Sequence, residues 1–418
     1  MPVSIMKSEV TMDNKIQEQF ICSKMFTDLN IRFSGSIVKN CCKSSDNLID
    51  ENNINSDTIL RDPILLTRKE SMVRDNVLPR DGCNTCVSTE PHSLFRSWNT
   101  FHSAFTQQEK DSLLVDDNIR LYEFVLSSAC DLKCIYCDPK DSSSWAKELN
   151  VPIYKCTDEW RDTMLEQIYM SLERKTYKPN TVYQFFFSGG EPTYNTDTLP
   201  MIKHIISIVS KFTTKIQIVI TTNLNTKPTM LKKFIEVIKR YPNVIWRFDA
   251  SFESVGEQCE AIRHGLIWGR AIINMKSLLL MENVTVTLNP AINLYSIPST
   301  LEFLKFFDNI FQAYRKELYF GHNMVMEDGL SPTNLPVEYT VYIQRAIDFC
   351  NSKGTRNFES FAEHLENIKM LIGTKYSEEN NQIIENKLRY FEEKRPETNW
   401  RELFPHVVDL IKDNNRIC

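Results

Sequence analysis

The chain has 418 residues, more than one small core needs and enough for two or three domains. Its composition is ordinary for a globular protein, 42% hydrophobic and 25% charged. A formal net charge of −5 gives no whole-surface attraction to nucleic acid or anionic lipid. No apolar run approaches the roughly 18 residues that suggest a membrane-spanning helix, and the opening MPVSIMKSEVTMDNK lacks the apolar core of a secretory signal, so a cytoplasmic, reducing setting is expected.

In that setting twelve cysteines point to metal rather than to disulfides. The first group opens the chain. LNIRFSGSIVKNCC reads as two short β runs around Gly35, a hairpin, with Cys22 before it and Cys41 and Cys42 after it. Residues 43–75 are polar and acidic and read as a loop with one short helix. Cys83 and Cys86 then form a CxxC knuckle. Cys22, one of Cys41 and Cys42, and the knuckle pair make a closed four-cysteine set. By count it suits [2Fe–2S], [4Fe–4S] or structural zinc equally.

Residues 99–118 read as a linking helix and turn. From about residue 119, β-rich runs alternate with amphipathic stretches. The runs are Leu121–Ser127, Val182–Phe187, Ile216–Thr221, Val244–Ser251, Val284–Leu288 and Leu318–Val325. The helical stretches are Glu159–Thr176, Thr198–Phe212, Thr229–Tyr241, Gly256–Met281 and Pro298–Arg315. Six such alternations imply an α/β fold in which a parallel sheet with covering helices rolls into a partial (β/α)6 barrel. In parallel barrels the chemistry sits at the C-terminal edge of the strands. Residues 336–418 read as a C-terminal helical extension with a loop at Ser377–Asn381. The expected domains are thus 1–98, an auxiliary module; 99–335, the barrel; and 336–418, the extension.

Two motifs fall at strand ends. After the first barrel strand comes Cys130-Asp131-Leu132-Lys133-Cys134-Ile135-Tyr136-Cys137, a CxxxCxxC spacing. Three thiolates suit an iron–sulfur cube with one iron left open, or zinc. Tyr136 offers a ring to a flat ligand or to ordinary packing. After the second strand comes Ser188-Gly189-Gly190-Glu191-Pro192. Its glycines allow close backbone approach, and Glu191 brings an anion to pair with an ammonium.

With these motifs in this order the chain resembles the radical S-adenosylmethionine (SAM) superfamily. The resemblance implies that Cys130, Cys134 and Cys137 hold a [4Fe–4S] cluster, and that SAM chelates its open iron. It implies that Ser188, Gly189, Gly190 and Glu191 contact the SAM amino group. Reductive cleavage then yields a 5′-deoxyadenosyl radical that abstracts a substrate hydrogen, with a reductant such as flavodoxin or ferredoxin as partner. Thr221-Thr222-Asn223 resembles the family's TN(G) turn, with Leu224 in place of the glycine. Asp249 and Ser251 stand where the family places polar groups on the SAM ribose, and Arg263 resembles the arginine that steadies the SAM carboxylate. For Asn223, Asp249, Ser251 and Arg263 the plain alternative is turn capping or surface pairing. No general base is singled out.

A narrower resemblance covers roughly residues 20–335. Phe20-Ile21-Cys22, Gly35, Cys41-Cys42, Cys83-Asn84-Thr85-Cys86, Glu90, Ser93 and Arg96, with Asp141–Trp145 after the triad, look like twitch-domain (half-SPASM) radical SAM proteins. This implies an auxiliary iron–sulfur cluster on Cys22, Cys41, Cys83 and Cys86. Cys42 stays open for Cys41, because five residues follow Gly35 where the family pattern has four. Relatives with such modules often modify peptides or proteins, sometimes small molecules, and a peptide or protein substrate is the expectation. The rival is a non-catalytic iron–sulfur or zinc scaffold. Cys156, Cys259, Cys350 and Cys418 are read as buried or incidental thiols, and His264 and His322 as packing residues rather than ligands.

Overall fold

A computed structural model of the chain describes residues 23–33, 37–39, 62–75, 107–153 and 157–414. Its contacts divide it into two units. One comprises Met1–Ile31, Ile37–Tyr122 and Asp162–Thr176, and the other Arg32–Ser36, Glu123–Arg161 and Tyr177–Cys418.

In the first unit a short helix α1 (Ser23–Thr27) leads into β1 (Asp28–Arg32), where alternation buries Leu29 and Ile31. Strand β2 (Ile37–Lys39) is its hydrogen-bonded neighbour, and the turn expected around Gly35 lies outside the described residues. The short helix expected in 43–75 is α2 (Pro63–Arg74). Asp62 caps it by accepting from the Leu65 N–H at 2.9 Å, and Pro63 opens its first turn, where no N–H is needed. The linking helix is α3 (Gln107–Val115).

The second unit is built on a sheet with strand order β11-β9-β7-β6-β5-β3. Its strands are β3 (Leu121–Val125), β5 (Tyr183–Ser188), β6 (Ile216–Thr222), β7 (Ile245–Ala250), β9 (Val284–Leu288) and β11 (Tyr319–Phe320). The pairs β5–β6, β6–β7, β7–β9 and β9–β11 are parallel. Phe185, Phe187, Ile218, Ile220, Trp246 and Phe248 are buried at every second position, the period of a sheet covered by helices. The helices of this unit that follow the strands are α4 (Ser143–Leu149), α6 (Thr198–Val209), α7 (Pro228–Arg240), α8 (Gly256–Ile262) with α9 (Trp268–Leu279), and α10 (Thr300–Ala313), while α5 (Asp158–Arg174) falls mostly in the first unit. In α6, Leu199, Ile202, Ile205, Ile206 and Val209 are buried at helical spacing. This is the α/β, partial-barrel arrangement of successive strand–helix units.

Three expectations need correcting. The single helix expected over Gly256–Met281 is two helices. Between them Arg263–His264 forms strand β8, and Gly265 turns the chain with φ 99°. The strand expected over Leu318–Val325 is interrupted at Gly321. Only β11 joins the main sheet, while β12 (Asn323–Met324) pairs in parallel with β10 (Ala291–Ile292). The loop expected at Ser377–Asn381 begins a helix, because the Ser377 hydroxyl accepts from the Asn380 N–H and caps it.

The C-terminal helices are α11 (Thr340–Lys353), α12 (Arg356–Leu371), α13 (Glu378–Lys394), α14 (Trp400–Leu403) and α15 (Pro405–Asn414). They pack onto the sheet unit through rings. Tyr295, in the loop after β10, meets Phe404 at 5.0 Å, Trp400 at 6.0 Å and Phe391 at 6.4 Å between centroids. Among the described residues no helix is long and apolar enough to cross a membrane.

Candidate active site

The three-cysteine segment leaves β3 and is held from two sides. On one side stands the start of α4. The Ser142 hydroxyl donates to the Leu132 carbonyl at 2.7 Å and caps the helix by accepting from the Trp145 N–H. Ser143 and Ser144 donate to the Cys130 carbonyl at 3.1 and 2.7 Å, and the Trp145 indole donates to the Cys134 carbonyl at 2.8 Å. A looped backbone whose carbonyls point inward must find partners, and the run Ser142–Trp145 supplies them. On the other side, Lys133–Cys134 (β4) forms an antiparallel bridge with β8, pairing Cys134 with Arg263.

The glycine turn closes on the same segment. Gly190 N–H donates to the Ser127 carbonyl at 3.0 Å and Glu191 N–H to the Ala129 carbonyl at 2.8 Å. A Cβ on Gly190 would lie 2.5 Å from the Ala129 carbonyl oxygen, so only glycine allows this approach. Gly189 takes φ 108°, a left-handed conformation that L side chains rarely adopt. Ser188 donates to Glu123 at 2.7 Å. Glu191 is buried, and its carboxylate is taken up by the protein. One oxygen accepts from Thr193 N–H, Thr193 Oγ1 and Thr222 Oγ1, and the other from Asn223 N–H at 2.7 Å. Burial nevertheless holds its carboxyl above the ordinary carboxylate range.

Through Glu191 the glycine turn is tied to the end of β6. There Asn223 and Asn225 donate to the two oxygens of Asp131, at 3.2 and 2.8 Å, so the residue after Cys130 is clamped. Leu224 adopts φ 57°, the conformation in which a glycine is normally favoured. This costs a branched residue about 1 kcal/mol. Its side chain is buried and its carbonyl accepts from Asn274 at 2.8 Å, which hold the strained residue in place.

Behind Cys134 lies a buried charged cluster. Arg263 Nε donates to Glu253 at 2.7 Å and Nη2 donates to the other carboxylate oxygen. The Tyr136 hydroxyl donates to Glu253 at 2.8 Å, and the guanidinium lies 5.6 Å from the Tyr136 ring centre. The remaining guanidinium nitrogen, Nη1, points to Cys134 Sγ at 3.7 Å. Asp249 is paired with Arg247 at 2.9 Å, and burial raises its carboxyl against that partner. Ser251 donates its backbone N–H to the Thr222 carbonyl.

The sulfurs sit in a desolvated place. Cys130 and Cys134 are buried and Cys137 is half-buried. Burial raises all three thiols, Cys137 to about 12. The backbone N–H of Leu132 donates to Cys130 Sγ at 3.4 Å.

Residues 124–278 match the family model of the radical SAM superfamily. This stretch is a radical SAM domain. It contains Cys130, Cys134, Cys137, the Ser188–Glu191 turn, Asn223, Asp249, Ser251 and Arg263. The C-terminal helices lie beyond it.

Among solved structures the chain is similar to native anSMEcpe with bound AdoMet, at 18% identity over 56% of this chain and 60% of that one, with a TM-score of 0.37. It is similar to native anSMEcpe with bound AdoMet and Cp18Cys peptide at 17% identity over the same shares, with a TM-score of 0.38. The match thus spans under two thirds of those chains. No curated protein matches.

The residues of the radical SAM domain fit a [4Fe–4S] cluster. Among the described residues no three Cys, His, Asp or Glu side chains converge as a single metal ion requires. A cube spreads its cysteines over separate irons and needs no such convergence. The donors aimed at Cys130 and Cys134 suit thiolates.

A cleft of about 660 Å³ reaches Cys130, with Ser143, Ser144, Lys147, Asn150 and Tyr194 in its wall. Cys22, Cys41, Cys42, Cys83, Cys86, Glu90, Ser93 and Arg96 lie outside the described residues, as do Cys156 and Cys418. Cys259 and Cys350 are buried. His264 approaches Glu397 at 3.7 Å, and His322 stacks on His364.

Sequence reading passed over Asp131, Asn225 and Glu253. Glu253 carried one usable signal: an acidic residue two positions beyond a strand end that already bore Asp249 and Ser251.

Proposed function

We propose that the chain is a radical SAM enzyme. When bound, the cluster and SAM supply a one-electron reductive cleavage that gives methionine and a 5′-deoxyadenosyl radical able to abstract a hydrogen atom from substrate. The observation that carries this reading is the three-cysteine segment braced by the Gly189-Gly190 turn inside a radical SAM domain.

In this reading Cys130, Cys134 and Cys137 hold three irons. Tyr136, Ser188, Gly189, Gly190, Asn223, Asp249 and Ser251 line the cofactor. Glu191, held by the end of β6, and Arg263, held by Glu253, support from behind. Cys22, Cys41, Cys83 and Cys86 hold an auxiliary iron–sulfur cluster in a module over 1–98, ahead of the barrel at 99–335 and the extension at 336–418. The substrate is a peptide or protein, the reductant a flavodoxin or ferredoxin, and the setting the cytoplasm, where the thiols stay reduced.

Anaerobic reconstitution with iron and sulfide, followed by dithionite and SAM, tests the proposal. Formation of 5′-deoxyadenosine is expected. A protein loaded with iron and sulfide that forms none is a scaffold, not an enzyme. Incubation with candidate peptides and with small metabolites, read by mass spectrometry, separates the two substrate classes.

A further inference from the structure

Arg395 follows α13 and lies outside the radical SAM domain, yet it is among the most deeply buried groups of the unit, at 0% exposure. Its guanidinium is 4.9 Å from the Trp145 ring centre and 5.0 Å from that of Phe391. Nη2 donates to the Lys133 carbonyl at 3.2 Å. Among the described residues Nε and Nη1 have no hydrogen-bond partner, and no carboxylate lies within ion-pair distance. The contrast with Arg263 is direct, since Glu253 neutralises that guanidinium. Glu148, held by Lys133 and Tyr390, and Glu397 attract the guanidinium from a distance, but neither contacts it. A guanidinium stays charged, and a buried charge without a contacting counter-ion is unfavourable. The groups that hold Arg395 are those that hold the cluster segment: Lys133 precedes Cys134, and Trp145 donates to the Cys134 carbonyl.

We propose that Arg395 is the counter-cation of the cluster site, a positioning residue supplied by the C-terminal helices. This rests on the reading of Cys130, Cys134 and Cys137 as cluster ligands. A cube on three thiolates is anionic, and it gains one further negative charge when it takes one electron from a low-potential donor, with no proton moved. A fixed cation in a desolvated wall favours that more negative state.

The test uses the full-length protein, reconstituted anaerobically, with the reduced cluster followed by electron paramagnetic resonance during a potentiometric titration. Arg395→Gln and Arg395→Met are expected to shift the midpoint potential downward, and Arg395→Lys to stay near wild type. Loaded Gln and Met variants that titrate at the wild-type potential overturn the proposal.

Urea unfolding of the cluster-free proteins supplies a second arm that needs no loading. Removing an uncompensated charge leaves the Met variant at least as stable as wild type, whereas a purely structural arginine makes it less stable and overturns the proposal. Wild type that forms 5′-deoxyadenosine while the potentials do not move defeats the Arg395 assignment alone. Wild type that assembles no cluster defeats the reading of the site with it.

Discussion

At Gly190 a distance decides the outcome. The atom that would meet an alanine Cβ at 2.5 Å is a backbone oxygen, and the next nearest, Ser128 C, lies at 2.7 Å, so no side chain can swing aside. Gly190→Ala must push the glycine turn and the cysteine segment apart. We expect a loss of about 1–3 kcal/mol in urea unfolding and reduced iron and sulfide content after reconstitution. Unchanged stability and loading would contradict the packing described.

Glu253 is decided by charge. With its carboxylate gone, Arg263 is left buried and unpaired beside Tyr136. Glu253→Ala is expected to cost about 3–5 kcal/mol in the same measurement. A double variant that also removes Arg263 should recover part of that loss, which a pair worth nothing would not do.

At the scale of elements, whatever depends on local periodicity was legible. The alternation in β5, β6 and β9 and the apolar spacing of α6 named those elements to within about three residues, because each buries one face of its own pattern. The break at Arg263–His264 was not legible. It depends on pairing with Lys133–Cys134, more than a hundred residues away, and on a Gly265 whose place in the apolar pattern looks helical. Ser377 was misread as a loop residue when its hydroxyl starts α13. The cysteine spacing and the glycine turn were legible at once; the clamps at Asp131 and Glu253 were not, since each joins residues far apart in the chain.

The C-terminal helices also carry a pH dependence. His364 on α12 is buried against His322, and burial lowers its pKa to about 3. The folded state therefore disfavours its protonation. The neutral form's contribution is full above about pH 6.5 and is lost as pH falls from there towards 3. Thermal unfolding measured at pH 7 and at pH 4.5 should show a larger drop for wild type than for His364→Phe. Equal drops would place the acid sensitivity elsewhere.

For the whole molecule the consequence is a division of labour. The parallel strands deliver the cysteine segment, the glycine turn and the Asn223–Asn225 turn to one place, and the C-terminal helices close behind Cys134 through Tyr390 and Arg395. The proposed auxiliary module adds a second cluster that SAM cleavage itself does not require. Cys83→Ala is thus expected to lower iron content while sparing or only weakening SAM cleavage, and Cys134→Ala to abolish it. Equal abolition by both, with loss of folded protein, would make the module structural instead.

A site that breaks SAM reductively must release 5′-deoxyadenosine. The most direct measurement is 5′-deoxyadenosine released by the anaerobically reconstituted wild type with dithionite and SAM, beside Cys134→Ala treated identically. Product is expected from the first and none from the second. An iron- and sulfide-loaded wild type that yields no 5′-deoxyadenosine would contradict reductive cleavage at this site.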